Sequence, residues 1–152
     1  MFKLKKILNS NVVAPEIIKI TGEKGYGVPP EIEPGMAIFE DRYGVYQKCE
    51  RMYRPTHICV GKGKNPDGTR YILCYTITDD MIFEVPFLTD ESINDVNIGG
   101  SVFVDRDSNC MAVKFDITNT PYCGILVYKE NFNEYTPYDK VLVRFPYHRE
   151  GY

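Results

Sequence analysis

The sequence contains no tryptophan, and its 152 residues include only two histidines, His57 and His148. A histidine-based nucleophilic site would have to be assembled around His57 at the start of a predicted strand, since His148 lies beyond the last one. Thr56 and Cys59 are close to His57, but neighbouring strand residues point to opposite faces, so only Cys59 is expected to share its side. No feature of the sequence marks that thiol as activated. We therefore interpret His57 as a structural or interface histidine and predict a protein that is not an enzyme.

Close cysteine pairs are also lacking. The five cysteines are an odd number, are widely spaced and include no C-x-x-C motif. Disulfide frameworks and zinc sites are usually recognised by even counts or close pairs. The sequence therefore predicts reduced, mostly buried thiols, with a Cys/His metal site as the alternative.

Basic residues are not in excess, because the net charge is −3 and the sequence pI is near 5.4. Affinity for nucleic acid depends on Lys and Arg clustered on one face, and the cluster of Lys3, Lys5 and Lys6 is too short for this. No apolar run approaches the ~20 residues of a membrane-spanning helix, and no long apolar segment follows the N-terminal lysines. We expect a cytoplasmic product without a secretory signal, with neither nucleic acid nor membrane as partner and with no cofactor.

Tyrosine, phenylalanine, proline and glycine are abundant instead, with 12, 8, 10 and 12 residues respectively. Aromatic side chains fit pleated surfaces, and proline and glycine mark turns, so this composition favours many short strands. No segment shows convincing helical periodicity. We predict one all-β domain, a small barrel or sandwich of about ten short strands with a long N-terminal Pro/Gly loop.

Turn residues and alternation place several strands. Asp41 to Gly44 is a hairpin connection between Ala37 to Phe39 and Val45 to Lys48, and Asn65-Pro66-Asp67-Gly68 is a second turn. The run from Tyr71 to Ile77 is apolar on both faces, which is typical of a strand in the middle of a fold.

The remaining elements follow from the same signals. The strand from His57 to Gly61 is expected to place Ile58 and Val60 on one face. Ser92 to Gly100 is polar and is interpreted as a helical turn or a seam. Asp79-Asp80 is a turn or bulge, and the later strand candidates are Met81 to Phe87, Ser101 to Val104, Met111 to Phe115, Gly124 to Lys129 and Lys140 to Phe145.

These signals divide the single domain into three parts. Residues 1–36 hold edge strands between Phe2 and Ile20, then a long exposed loop or arm from Thr21 to Gly35 that closes with a Pro34-Gly35 turn. Residues 37–145 form a β-barrel-like body, and residues 146–152 form a C-terminal tail. A loop of this length is uncommon in a compact domain unless it has a function or is disordered.

Two glycine-rich stretches resemble nucleotide-binding motifs only superficially. Gly61-Lys62-Gly63-Lys64 lacks the spacing and the Gly-Lys-Ser/Thr ending of a P-loop. Gly25-Tyr26-Gly27 lacks a further glycine and the strand-to-helix setting of a dinucleotide site. The first is interpreted as the approach to a hairpin.

Acidic residues provide two further motif-like patterns. Asp105, Asp107, Asn109 and Asp116 follow a calcium-loop register, but Cys110 replaces the required glycine and the flanks are strands, so a polar hairpin tip is expected. The pair Asp79-Asp80 with Glu84 lacks the opposed placement that acid–base work requires, and successive acids in a turn are usually solvated.

Six segments together resemble a family of small auxiliary head proteins, the decoration or cement proteins of tailed phages and prophages. The resemblance covers residues 37–145. Its segments are Pro55-Thr56-His57-Ile58, Gly61-Lys62, Asp67-Gly68-Thr69 leading into Leu73-Cys74-Tyr75, Asp80-Met81-Ile82-Phe83-Glu84-Val85-Pro86, Gly99-Gly100-Ser101-Val102, and Lys140-Val141-Leu142-Val143-Arg144-Phe145.

The resemblance implies a virion structural protein on the capsid exterior, assembled in the host cytoplasm, without an active site. Its partner would be the major capsid protein lattice, with self-association as a trimer or single copies at capsomer junctions. The long loop before Pro34, the extra tyrosines and the histidine-bearing tail depart from the family pattern and affect the docking mode.

A cementing protein needs a rigid scaffold with exposed aromatic anchors, because small gains per copy multiply over a lattice. Tyrosine is favoured at interfaces. The predicted interface residues lie in loops, hairpins or the tail: Tyr26, Pro29, Pro30, Tyr43, Tyr46, Tyr53, His57, Tyr135, Tyr138, Tyr147, His148 and Tyr152.

Two alternatives stay open at this point. The first is a carbohydrate- or peptide-binding β module that uses the same surface tyrosines as a stacking platform. The second is a small hydrolase that uses His57 or the acidic turn at Asp79-Asp80, which would require a cleft beside those residues.

Overall fold

A computed structural model describes residues 1–8, 14–21, 28–50, 53–88, 101–115, 124–128 and 139–146. These ranges contain strands and no helix, and so no helix long and apolar enough to cross a bilayer. The predicted all-β class is confirmed. The strands are β1 Lys3–Ile7, β2 Ile18–Thr21, β3 Ala37–Glu40, β4 Tyr46–Lys48, β5 His57–Lys64, β6 Arg70–Thr76, β7 Met81–Leu88, β8 Ser101–Val104, β9 Val113–Phe115, β10 Gly124–Tyr128 and β11 Asp139–Arg144.

The strands form two mostly antiparallel sheets. One has six strands in the order β1-β7-β11-β10-β8-β9, and the other has five in the order β2-β6-β5-β3-β4. A short parallel pairing also joins β9 to the end of β7, with Phe87 opposite Val113. The two N-terminal strands lie at sheet edges, as the sequence predicts, but each belongs to a different sheet.

The sheets pack in a sandwich-like arrangement, and the described strands do not form one closed barrel. Phe83 of β7 stacks on Tyr75 of β6 with ring centroids 6.4 Å apart, and it also contacts Phe2 and Phe145 at 6.1 and 6.0 Å. All four rings are buried. This aromatic cluster joins one sheet to the other.

Arg54 reinforces the same junction. Its Nε donates to Phe145 O at 2.8 Å, just after β11, and its Nη2 donates to Ile77 O at 3.3 Å, just after β6. Because a guanidinium presents several donors in a fixed plane, one side chain ties the ends of strands from both sheets.

A bulge in β5 changes one predicted face. Ile58 is buried, but Val60 is 43% exposed, so the expectation that they share a face is wrong. The pairing of β5 with β6 shifts between Cys59 and Gly61, and Val60 is the extra residue. An inserted residue breaks the two-residue alternation and turns its own side chain outwards.

Residues 28–35 follow the body of the domain closely. Pro30 and Pro34 are exposed, but Val28 and Ile32 are buried in the core, so the expectation of an exposed loop is wrong for this part of it. Gly35 donates its N–H to Cys59 O at 2.8 Å and accepts from Phe2 N at 3.0 Å, which fixes the end of this loop between the N-terminus and β5. The predicted turn or seam at 92–100 lies outside the described residues.

Candidate interaction surface

The β3–β4 hairpin ends in a turn that fixes an exposed tyrosine. Asp41 Oδ1 accepts hydrogen bonds from the backbone N–H groups of Tyr43 at 2.8 Å and Val45 at 3.0 Å. Gly44 donates to Asp41 O at 3.0 Å and has a φ of 78°, a left-handed conformation that glycine adopts without steric cost. Tyr43 is therefore held at the tip with 75% of its surface exposed.

Tyr53 adds a second exposed ring to this hairpin. It stacks on Phe39 of β3 with centroids 4.6 Å apart and remains 45% exposed. The Arg42 guanidinium lies 4.9 Å from the centroid of the Tyr43 ring. We call Phe39, Arg42, Tyr43 and Tyr53 the aromatic hairpin surface. Rings held in this way lose little conformational entropy when a partner binds.

His57 and Tyr46 do not belong to this surface, because the register pairs them with Ile38 and Glu40, which face the opposite side of the sheet from Phe39. His57 is only 5% exposed, so of the two predicted roles, structural or interface, its burial favours the structural one. The half-buried ring of Tyr46 meets the imidazole edge-on, with centroids 5.3 Å apart. Glu40 lies directly opposite Tyr46 in the hairpin register. His57 thus packs against the hairpin from β5, which pairs with β3.

Both imidazole nitrogens of His57 have hydroxyl partners, Thr56 Oγ1 at 2.8 Å from Nδ1 and Thr76 Oγ1 at 3.3 Å from Nε2. The side chains of Thr56 and His57 are therefore in contact, although neighbouring residues of a strand are expected to point to opposite faces. The alternation rule fails here because β5 begins at His57 and Thr56 lies outside it. Thr56 Oγ1 already accepts from Glu40 N at 2.8 Å and is placed to donate to Ile38 O at 3.5 Å, which favours a neutral imidazole protonated on Nδ1.

The pKa values agree with a closed structural cluster. Burial lowers the pKa of His57 below its ordinary value, and the charge of Glu40 offsets this only in part. Burial, together with the charge and the hydrogen bond of Glu40, raises the pKa of Tyr46 to about 12. Burial thus favours the neutral form of both side chains.

Acid should weaken the fold through His57. The unfolded chain has the higher His57 pKa, near 6.5, so it binds more protons than the folded chain below that pH. The free energy of unfolding should fall as the pH decreases from about 6.5 towards the lower folded-state pKa, with a slope of at most about 1.4 kcal/mol per pH unit. Urea titrations from pH 7 to 5 would measure it.

The matched control for this effect is His57→Gln, which retains polar atoms but does not titrate. Its slope over the same pH range should be smaller than that of the wild type, because the two proteins differ only in this titratable group. Equal slopes would show that His57 does not carry the pH dependence.

The other predicted interface residues fall into two groups. Pro29 and Pro30 are described, and they line a pocket of about 350 Å³ beside the β5–β6 hairpin. They are not part of the aromatic hairpin surface. Six residues lie outside the described residues: Tyr26, Tyr135, Tyr138, Tyr147, His148 and Tyr152.

The acidic turn at Asp79-Asp80 does border a pocket, of about 450 Å³, together with Glu16. Thr78 Oγ1 donates to Asp80 Oδ1, so this carboxylate organises its own turn. The remaining lining comes from apolar side chains and threonines, and His57 is not among it. Glu84 forms ion pairs with Lys5 at 3.4 Å and Lys140 at 3.7 Å, and it does not line this pocket.

The residues that follow the calcium-loop register, Asp105, Asp107 and Asn109, lie in the turn between β8 and β9. Asp105 is buried, and its Oδ2 accepts the N–H of Ser108 at 2.9 Å, while Lys114 lies 3.9 Å from Oδ1. Asn109 and Cys110 have φ values of 61° and 56°. Asp105 therefore shapes a strained hairpin loop, and no set of three metal-ligating side chains occurs anywhere in the described ranges. Asp116 lies outside them.

Four of the five cysteines can be assessed, and all four are buried, as predicted: Cys49, Cys59, Cys74 and Cys110. Burial raises the pKa of Cys59 and Cys110, and burial with the neighbouring Cys59 raises that of Cys74 to about 12. Thiols with raised pKa values are poor nucleophiles. Cys123 lies outside the described residues.

Fold and surface together define an all-β, two-sheet protein with a preorganised aromatic hairpin. Comparisons with protein-family models, curated proteins and solved structures found no match to this chain.

Proposed function

We propose that this protein is a virion structural protein that decorates and stabilises a phage head by binding the major capsid protein lattice. The proposal assigns it no catalytic role. The observation that carries it is the aromatic hairpin surface, where Tyr43 and Tyr53 are exposed on a turn fixed by Asp41 and on a stacked ring. Aromatic anchors of this kind supply much of the energy of protein interfaces.

The rest of the fold supports the same role. The body is tied together by the aromatic cluster around Phe83 and by Arg54, so a contact made at the hairpin is made by a rigid scaffold. Repetition over a lattice turns a modest affinity per copy into substantial stabilisation of the whole head.

Direct binding to heads tests this proposal. Purified protein mixed with expanded capsids that lack it should bind at a fixed copy number per capsomer and raise their disruption temperature. Sedimentation with quantified copy number and calorimetry of the decorated heads would measure both effects. Failure to bind intact expanded heads would refute the proposed function.

A carbohydrate-binding module is the second candidate, and the ring geometry favours it less. A stacking platform needs open ring faces, whereas Phe39 covers one face of Tyr53 and Arg42 lies over Tyr43. A glycan array with saturable binding of one sugar class would reverse this ranking.

A further inference from the structure

A pocket of about 350 Å³ lies between the Pro29-Pro30 segment and the β5–β6 hairpin. We call it the basic groove. Ile32 and Ile72 lie at its base but are each only 1% exposed, so its accessible apolar surface comes from the half-buried Pro29 and the exposed Pro30. Its volume falls within the range of ordinary ligand pockets, and the two prolines form a stiff wall without backbone donors.

The rim of the groove is positively charged. Lys62, Lys64 and Arg70 line it, and Lys62 is neutralised by an ion pair with Glu33. Lys64 and Arg70 are directly opposed in the β5–β6 register. Neither forms an ion pair within the part of the chain that the structure describes.

Opposed like charges destabilise an antiparallel pair, so this arrangement has no evident structural benefit. It is also unusual in a chain whose net charge is −3. An anionic partner bound in the groove would neutralise both side chains. The repulsion between Lys64 and Arg70 would then be replaced by attraction of each to the partner.

The hairpin that carries these charges is rigid. Asn65 N donates to Thr69 O at 2.8 Å, and Lys19 Nζ donates to Asn65 Oδ1 at 2.7 Å. On the opposite face, a Cβ at Gly63 would lie only 2.5 Å from the Tyr71 hydroxyl, so the glycine allows this ring to pack flat on the strand. Lys64 and Arg70 are thus presented from a fixed base.

We propose that the basic groove binds an extended acidic peptide segment of a partner protein, with carboxylates at Lys64 and Arg70 and an apolar side chain against Pro29 and Pro30. Arginine binds carboxylates through two parallel hydrogen bonds. Nucleic acid does not fit, because two unpaired cations are too few for its affinity.

This inference goes beyond the proposed function, because it concerns a different surface. The aromatic hairpin joins β5 at His57 and Ile58, whereas the groove lies at Lys62 to Lys64, some six residues or roughly 20 Å further along the strand. Binding at the groove can therefore be tested with the isolated protein, and its failure would leave the capsid experiment unaffected.

The probe is a fluorescein-labelled, end-blocked peptide Gly-Glu-Leu-Glu-Leu-Glu-Gly, followed by fluorescence anisotropy at low salt. Saturable binding is expected, with affinity reduced at least about tenfold when glutamine replaces the glutamates, because the charge-assisted bonds are lost. Arg70→Glu and Lys64→Glu should each cause a similar loss. Each variant should fold at least as stably as the wild type, since it replaces a like-charge pair by an opposite-charge pair.

Lys6→Glu is the control of equal charge change, because Lys6 is exposed on β1 in the other sheet. It should leave peptide affinity unchanged. The proposal is overturned if the wild type shows no saturable binding or if Lys6→Glu weakens binding as much as Lys64→Glu. Displacement of the peptide by equimolar inorganic phosphate or citrate would also overturn it, by identifying a small-anion site.

Discussion

Phe83→Ala is expected to lower the free energy of unfolding by about 3–5 kcal/mol, a large share of the 5–15 kcal/mol typical of a domain. Phe83 is fully buried and contacts rings from the N-terminus, from β6 and from the segment after β11. Its removal leaves a cavity where the two sheets meet. Urea denaturation at neutral pH would measure the loss as a lower midpoint.

The control removes an equally large aromatic from the surface. Tyr43→Ala should change the stability by no more than about 0.5 kcal/mol, because that ring is mostly exposed. If Phe83→Ala cost no more than Tyr43→Ala, the aromatic cluster would not be the junction between the sheets.

The strands could be predicted well, whereas their grouping into sheets could not. The alternation from Met81 to Phe87 and the two-sided apolar run from Tyr71 to Ile77 correspond to β7 and β6, each flanked by neighbours within its sheet. Local patterns report which residues are buried, but not which strand lies beside which. The placement of β1 and β2 in different sheets depends on long-range pairing with β7 and β6.

Val60 shows how a local irregularity escapes a periodic pattern. The sequence predicts it on the buried face with Ile58, and the bulge before Gly61 turns it outwards. The signal was present, because glycines inside a strand often mark bulges. The approach to a hairpin explains Gly61 and Gly63 equally well, so the sequence alone does not separate the two interpretations.

The candidate surface was predicted in part. Exposure of Tyr43 follows from its position in a hairpin turn. The same turn places Glu40 opposite Tyr46, so this pair can be predicted from the sequence. The burial of His57 cannot be predicted in this way, because it depends on Thr76 from β6 and on Tyr46 from β4. The basic groove likewise requires the register that opposes Lys64 and Arg70.

If the protein decorates a head as proposed, Tyr43→Ala combined with Tyr53→Ala should weaken binding to expanded capsids by about 30-fold or more. Tyr43 offers a preorganised exposed ring, and Tyr53 adds a second on the same hairpin. Loss of the stack on Phe39 should cost only about 0.5–1.5 kcal/mol of fold stability, so the variant remains folded. Sedimentation of labelled protein with heads would give the affinity.

Two comparisons make this result specific to the hairpin. Val60→Ala trims another exposed apolar side chain, on the β5 bulge, and should bind like the wild type. Tyr43→Phe should retain most of the affinity, because the ring supplies most of the buried area at an interface anchor. Normal binding by the double alanine variant would place the docking surface elsewhere on the protein, whereas equal losses in Val60→Ala would point to a general effect on the fold.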